Sequence, residues 1–250
     1  MRKNLLKKIE GTIAGQTLIK SGDGVKARRQ RGISAERIQN DAAFQGTREV
    51  NSNFTAAAKA GMALRDSFNE ATSHLNDKKL SNRLNSLMRV ILKTDVTNAP
   101  GLRTVASGDL SLLNGFQLNS RCKPGSSLRK DHVATIDRVT GEAKVLIPSF
   151  EPLGNVYGPS GSTHFVLVLA ASAVDFETGK SQKALVKSQA FPISMGQTGD
   201  IELTALLPAD SELPLFAAFG IYFVEIIGDM TRVCRNGAFN EMAIVAVDAE

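Results

Sequence analysis

Catalysis and metal binding need particular side chains at particular spacings, and this chain of 250 residues offers few of them. Its three histidines, His74, His132 and His164, have no histidine or cysteine two to four positions away, the spacing that puts two ligands on one metal ion. His132 and His164 fall near the starts of strand-like runs, where a histidine is an ordinary strand-end residue. Cys122 and Cys234 are far apart and outside any Cys-x-x-Cys context, so two reduced thiols are expected. No Gly-x-Ser-x-Gly elbow occurs. The Gly22-Asp23-Gly24 turn is not a phosphate-cradling glycine loop, and Asp23 would repel a phosphate there. The expectation is a non-enzyme with no catalytic residue, no cofactor and no metal.

What remains is charge. The stretch GVKARRQRGISAER, Gly24 to Arg37, places Lys26, Arg28, Arg29 and Arg31 within six residues. Residues 1–31 carry nine Lys/Arg against two acids, a net of +7, whereas residues 200–250 carry nine acids against Arg232 and Arg235, a net of −7. Polarity of this kind bears on association, not on fold. Three readings compete for the basic run: a solvated loop, sequence-independent contact with phosphates, and docking on a protein surface. The chain has no Trp and only Tyr157 and Tyr222, and the basic run contains no aromatic residue, which argues against a base-stacking reader. Docking is favoured. A short, polar ribbon is marginal alone in water, yet its edges offer unpaired amides and carbonyls for β-augmentation.

The elements follow from pattern. GTIAGQTLIK and GVKARRQ flank a Gly/Asp turn and read as a hairpin. Ser34 is an N-cap candidate for a helix running through SAERIQNDAAFQGTREVNSNFTAAAKAGMALRDSFNEA, with Gly46 and Asn51–Asn53 as points of interruption. Asp77 can cap a second helix whose stripe is Leu80, Leu84, Leu87, Met88, Ile91 and Leu92, ending at TNAPG. A short polar link makes the pair an antiparallel helical hairpin. Beyond about residue 110 the period becomes two. The repeated Asp-x-x-Thr-Gly pattern, Asp137–Gly141 and Asp175–Gly179, marks two tight turns, since Gly tolerates positive φ. Seven or eight strands at close spacing predict an antiparallel sandwich, and the dense run 215–227 predicts a central strand buried on both sides.

Over about residues 10–120, the glycine-punctuated hairpin GTIAGQTLIKSGDG, the basic stretch and the helix with AAFQGTREVNSNF resemble a group of uncharacterised proteins from Bacteroidetes-type bacteria. The resemblance implies no site residue and points to a structural or interaction role.

Together these readings predict an α+β chain. It has a basic N-terminal arm at 1–33, a helical hairpin at 34–100 and an antiparallel β-sandwich at 101–250. The expected function is that of a structural protein that self-assembles into a ring, tube or filament, compatible with a phage-tail-like or capsid-like role. Lys20, Lys26, Arg28, Arg29 and Arg31 of one copy would face Glu202, Asp210, Glu212, Glu225 and Asp229 of the next, a head-to-tail contact. The alternative is a nucleic-acid-associated protein using the arm and the basic face of the 78–93 helix. A carbohydrate-binding sandwich would need exposed aromatics, for which Tyr157 is the only candidate. The longest apolar run, Leu213–Gly228, is broken by Pro214, Gly220 and Glu225, and the basic N-terminus lacks an apolar core and a cleavage site. The expected setting is therefore the cytoplasm or a particle assembled inside the cell, without membrane contact.

Overall fold

The computed structural model describes residues 11–13, 16–21, 24–29 and 32–249. The chain forms two compact units, Met1–Arg48 and Glu49–Glu250. It is α+β, and all its sheets are antiparallel.

In the first unit, β1 (Gly11–Ile13), β2 (Gln16–Ser21) and β3 (Gly24–Arg29) form a sheet in that order. The expected two-stranded ribbon thus has a third strand, because its leading arm divides into β1 and β2. Ser34 caps α1 (Ala35–Asn40) as expected, its hydroxyl accepting from the Arg37 amide at 3.2 Å. The helix then breaks at Asp41, not at Gly46 or Asn51–Asn53. Asp41 is extended, and its carboxylate accepts from the Ala43 amide at 2.9 Å to start a short 3-10 turn. The Arg48 guanidinium donates to the Ile38 carbonyl at 2.8 Å, which the break would otherwise leave without a partner, and to the Asp41 carbonyl at 2.9 Å, which also accepts from the Phe44 amide at 3.0 Å. Gly46 and Asn51–Asn53 lie inside the helix that follows, α2 (Gln45–Ser67).

In the second unit, α2 buries a small-residue face, Ala57, Ala60, Gly61 and Ala63, together with Leu64. Helix α3 (Leu80–Thr94) buries Leu80, Leu84, Met88, Ile91 and Leu92, while Leu87 is half-buried. The N-cap of α3 is Lys79, without a side-chain cap, so Asp77 does not cap the helix as expected but braces the turn before it. Its carboxylate accepts from the Lys79 amide at 2.8 Å, the Arg83 guanidinium at 2.7 Å, and the Ser120 amide and hydroxyl, both at 2.9 Å.

The larger sheet has the path β11 (Met230–Cys234), β10 (Leu215–Ile227), β6 (His164–Val174), β7 (Ser181–Lys187). Strand β12 (Glu241–Asp248) also pairs with β10, and β8 (Phe191–Pro192) with β6. The run 215–227 is central, as expected. β11 is a strand that the sequence pattern does not set apart; it is short, largely exposed and interrupted by Arg232. The smaller sheet has the order β4 (Val133–Asp137), β5 (Glu142–Ile147), β9 (Ile201–Leu206). The β4–β5 and β6–β7 turns share one device. The Asp137 and Asp175 carboxylates accept amides two and three residues on, while Gly141 and Gly179 take φ of 75° and 73° and donate to the carbonyls of Asp137 and Asp175.

One face of the larger sheet, with Val168, Ala170, Phe216, Ala218, Met242 and Ile244, shares a core with Leu64, Leu84, Met88 and Ile91 of α2 and α3. The other face, with Leu167, Leu169, Phe219 and Ile221, shares a second core with Val145, Ile147 and Leu203 of the smaller sheet. Both faces of β10 are therefore dry, which is why its sequence lacks alternation.

Candidate functional site

The second unit leaves two strand edges open beside each other. β12 is built on β10 with a bulge: Ala218 pairs with Ile244 and Ala217 with Ala246, so Val245 is an extra residue. Up to Ile244 the outer edge of β12 is covered by the segment 115–118. Gly115 donates to the Ile244 carbonyl at 2.8 Å, Ile244 to that of Phe116 at 3.0 Å, and Leu118 to that of Met242 at 2.9 Å. Past Ile244 that edge has no strand partner among the described residues. Among the described residues β4 pairs only with β5, so its other edge has no strand partner there either, and it runs close to β10 and β12.

Two clefts follow these edges and share Ala134. One, of about 640 Å³, has an apolar floor of Leu128, Ala134, Phe219, Ile221, Ala243 and Val245. The other, of about 550 Å³, is lined by Thr135, Ile136, Ala246, Val247 and Asp248. Ala134 and Ala243 are the small residues of an otherwise bulky apolar floor and leave room there for a backbone to approach. Gly220 serves the same end inside the sheet: a Cβ there would lie 2.3 Å from the Glu241 carbonyl oxygen. The rim of the first cleft is polar. The His132 ring leans on Phe219 at 4.7 Å, the Arg129 guanidinium lies 4.1 Å over the Tyr157 ring, and the Glu241 carboxylate accepts from the Gly125 amide at 2.6 Å.

The far end is acidic. Arg138 donates to the carbonyls of Ser211 and Leu213 and, at 2.7 Å, to the Asp248 carboxylate. Asp210, at φ 52°, donates its amide to the Arg138 carbonyl at 2.9 Å. Asp248 thus pairs with the guanidinium, while Asp210 and Glu212 flank in sequence the Ser211 carbonyl that accepts from it.

Asp210 and Glu212 are two of the five expected acidic partners, and both lie here. The other three lie elsewhere. Glu202 is on β9, 3.1 Å from Lys144, whose hydrogen bond and charge hold the Glu202 carboxyl below its ordinary value. Glu225 stands 4.0 Å from Arg232, and Asp229 is in the β10–β11 turn. At the usual strand rise, Glu225 is about 33 Å along β10 from the Asp210 end. On the basic side, β2–β3 register sets Lys20 opposite Val25, Lys26 opposite Ile19, Arg28 opposite Thr17 and Arg29 opposite Gln16. Lys26 is exposed, and Arg31 lies outside the described residues. Sequence reading missed Arg138, which touches residues 73 to 110 positions away and has no local signature.

The three histidines are dispersed. The His74 ring packs 4.3 Å from that of Tyr222, and burial, then Lys187 and Arg235, push its pKa below the usual histidine value. His164 shares a 2.8 Å hydrogen bond with Thr163. Among the described residues no group of three or more His, Cys, Asp or Glu could hold a metal ion, and no helix is long and apolar enough to cross a membrane. No protein-family model matches the chain, and no curated protein matches its sequence.

Proposed function

We propose that this chain is a structural protein that associates with copies of itself. The basic leading segment of one copy adds, as an extended strand, to the open β4/β12 edges of a neighbour. On this reading α2 and α3 are an antiparallel helical hairpin backing a two-sheet sandwich, and the sandwich presents the groove. The observation that carries the proposal is the pair of neighbouring edges, open among the described residues, over an apolar floor, with an acidic group at one end. Main-chain pairing supplies most of the affinity and alternate side-chain positions the register. The charges add little energy, about 0–1 kcal/mol for each exposed pair. The contact is heterologous, so it closes into a ring or continues as a tube or filament.

Sedimentation velocity over a concentration series, with negative-stain microscopy, tests it. Full-length protein is expected to form species larger than a monomer, and Arg28→Glu/Arg29→Glu is expected to weaken them. Adding Asp210→Lys/Glu212→Lys to the neighbouring surface is expected to restore association. Full-length protein that stays monomeric at high concentration would end the proposal.

A further inference from the structure

A third cleft on the Glu49–Glu250 unit has chemistry the assembly reading does not use. It encloses about 840 Å³ and is lined by Arg121, Arg232, Arg235, Asn76, Ser160 and Glu225, among others. The acidic segment 200–250 has only two basic residues, Arg232 and Arg235, and both line this cleft. The fold makes little use of the three guanidiniums. Arg121 donates to the Asn76 carbonyl at 3.3 Å. Arg232 is 84% exposed and comes no closer than 4.0 Å to Glu225. Arg235 has no hydrogen bond or ion pair among the described residues. The amides of Ser160 and Gly161 likewise donate to no acceptor among the described residues. Three cations facing one carboxylate repel one another unless an anion joins them, and guanidinium forks match the oxygens of a phosphate. Among the described residues no aromatic ring lines the cleft, so none of them stacks on a base there.

We propose that this cleft binds phosphate groups of a single-stranded nucleic acid, gripping the backbone without reading sequence. The cleft is open to solvent and roomier than one phosphate requires, which suits a strand passing through it better than an isolated ion. Glu225 is the built-in opponent, since its carboxylate competes for Arg232.

The test is fluorescence anisotropy of a labelled oligodeoxythymidine titrated with the full-length protein across a salt series. Wild type is expected to bind at low salt with a log–log salt dependence. Arg232→Gln/Arg235→Gln is expected to flatten that slope by about 1.4, at about 0.7 for each single-strand phosphate that is no longer neutralised. Glu225→Gln is expected to tighten binding. Both variants should melt close to wild type, because the ion pair they remove, Arg232–Glu225 at 4.0 Å, is long and largely exposed and contributes little to stability, so weaker binding would not reflect unfolding. An unchanged slope in the double variant would move the phosphate grip to the N-terminal arm and overturn the proposal, as would absence of binding at low salt. Inorganic pyrophosphate that binds in an arginine-dependent way while the oligonucleotide does not would also overturn it. Association of the protein with itself, measured without nucleic acid, is a separate readout.

Discussion

Removing the Asp77 side chain tests what ties the helices to the β-rich part of the chain. Its carboxylate is only 3% exposed and joins the start of α3 to Ser120 through four hydrogen bonds, one of them to Arg83. Removing one partner of a buried charge pair costs about 3–5 kcal/mol. Arg83 keeps its 2.7 Å bond to the Gln117 carbonyl and its place 5.0 Å over the Phe116 ring, so Asp77→Ala belongs at the low end, about 3 kcal/mol. Asp77→Asn keeps the shape and one acceptor but loses the charge. It should cost about 2 kcal/mol, within the range for hydrogen bonds to charged groups. For a unit of this size 1 kcal/mol shifts Tm by roughly 2–4 °C, so the Ala variant should melt on the order of 10 °C lower. The pH dependence adds a second check. Burial would raise the Asp77 carboxyl, but the Ser120 and Lys79 amides, the Ser120 hydroxyl and Arg83 outweigh it and hold the group well below the usual carboxylate range. A depressed folded pKa means the stabilisation is complete above the unfolded value of about 3.9 and is lost as pH falls below it. Urea unfolding of wild type and Asp77→Asn should therefore differ most near neutrality and converge in acid. A difference below about 1 kcal/mol at neutral pH, or one that does not shrink in acid, would refute the reasoning.

Other substitutions probe separate layers. Leu84→Ala removes a side chain that is fully buried between α3 and the larger sheet and should cost about 2–5 kcal/mol, whereas Leu102→Ala, at a residue 72% exposed, should stay within about 0.5 kcal/mol; urea midpoints decide both. Gly220→Ala would press a methyl group against the Glu241 carbonyl and the Met242 side chain, 2.7 Å away, so a destabilisation of about 1–3 kcal/mol is expected, with faster amide exchange along β12. Arg138→Met leaves the Asp248 carboxylate without its guanidinium and should lower Tm more at low salt than at high salt.

Elements set by local chemistry are legible in the chain. The α3 stripe, the Ser34 cap and the two Asp-x-x-Thr-Gly turns each rest on residues within a few positions of one another, and each stands where its pattern puts it. The unbroken apolar run of β10 also announces burial on both faces. The helix break at Asp41 is harder to see, because an Asp-Ala-Ala segment suits a helix interior as well as a cap. What selects the cap is Arg48, seven residues on. Long-range pairing leaves no mark: nothing local says that β9 joins β5, that 115–118 covers half of β12, or that Arg138 meets Asp248. For the same reason the acidic C-terminal region, uniform as a count of charges, divides in space: Asp210 and Glu212 precede one end of β10, Glu225 and Asp229 lie at the other, and Glu202 is on β9.

That division changes what charge can do in the proposed assembly. A basic strand approaching the groove meets Asp248 in one cleft, with Asp210 and Glu212 beside the carbonyls that Arg138 binds, whereas in the other cleft Arg129 and Lys130 are balanced by Asp131 and Glu241. The gradient runs along the strand direction, so it favours one polarity of docking over the reverse. Exposed charges of this kind act mainly on encounter, while main-chain pairing and the apolar floor govern escape. Raising the salt should then slow association several-fold and leave dissociation nearly unchanged, whereas filling the floor with Ala243→Leu should speed dissociation. Stopped-flow light scattering separates the two rates. If salt were to act chiefly on dissociation, charge pairs would be holding the subunits together, and the open strand edges would not explain assembly.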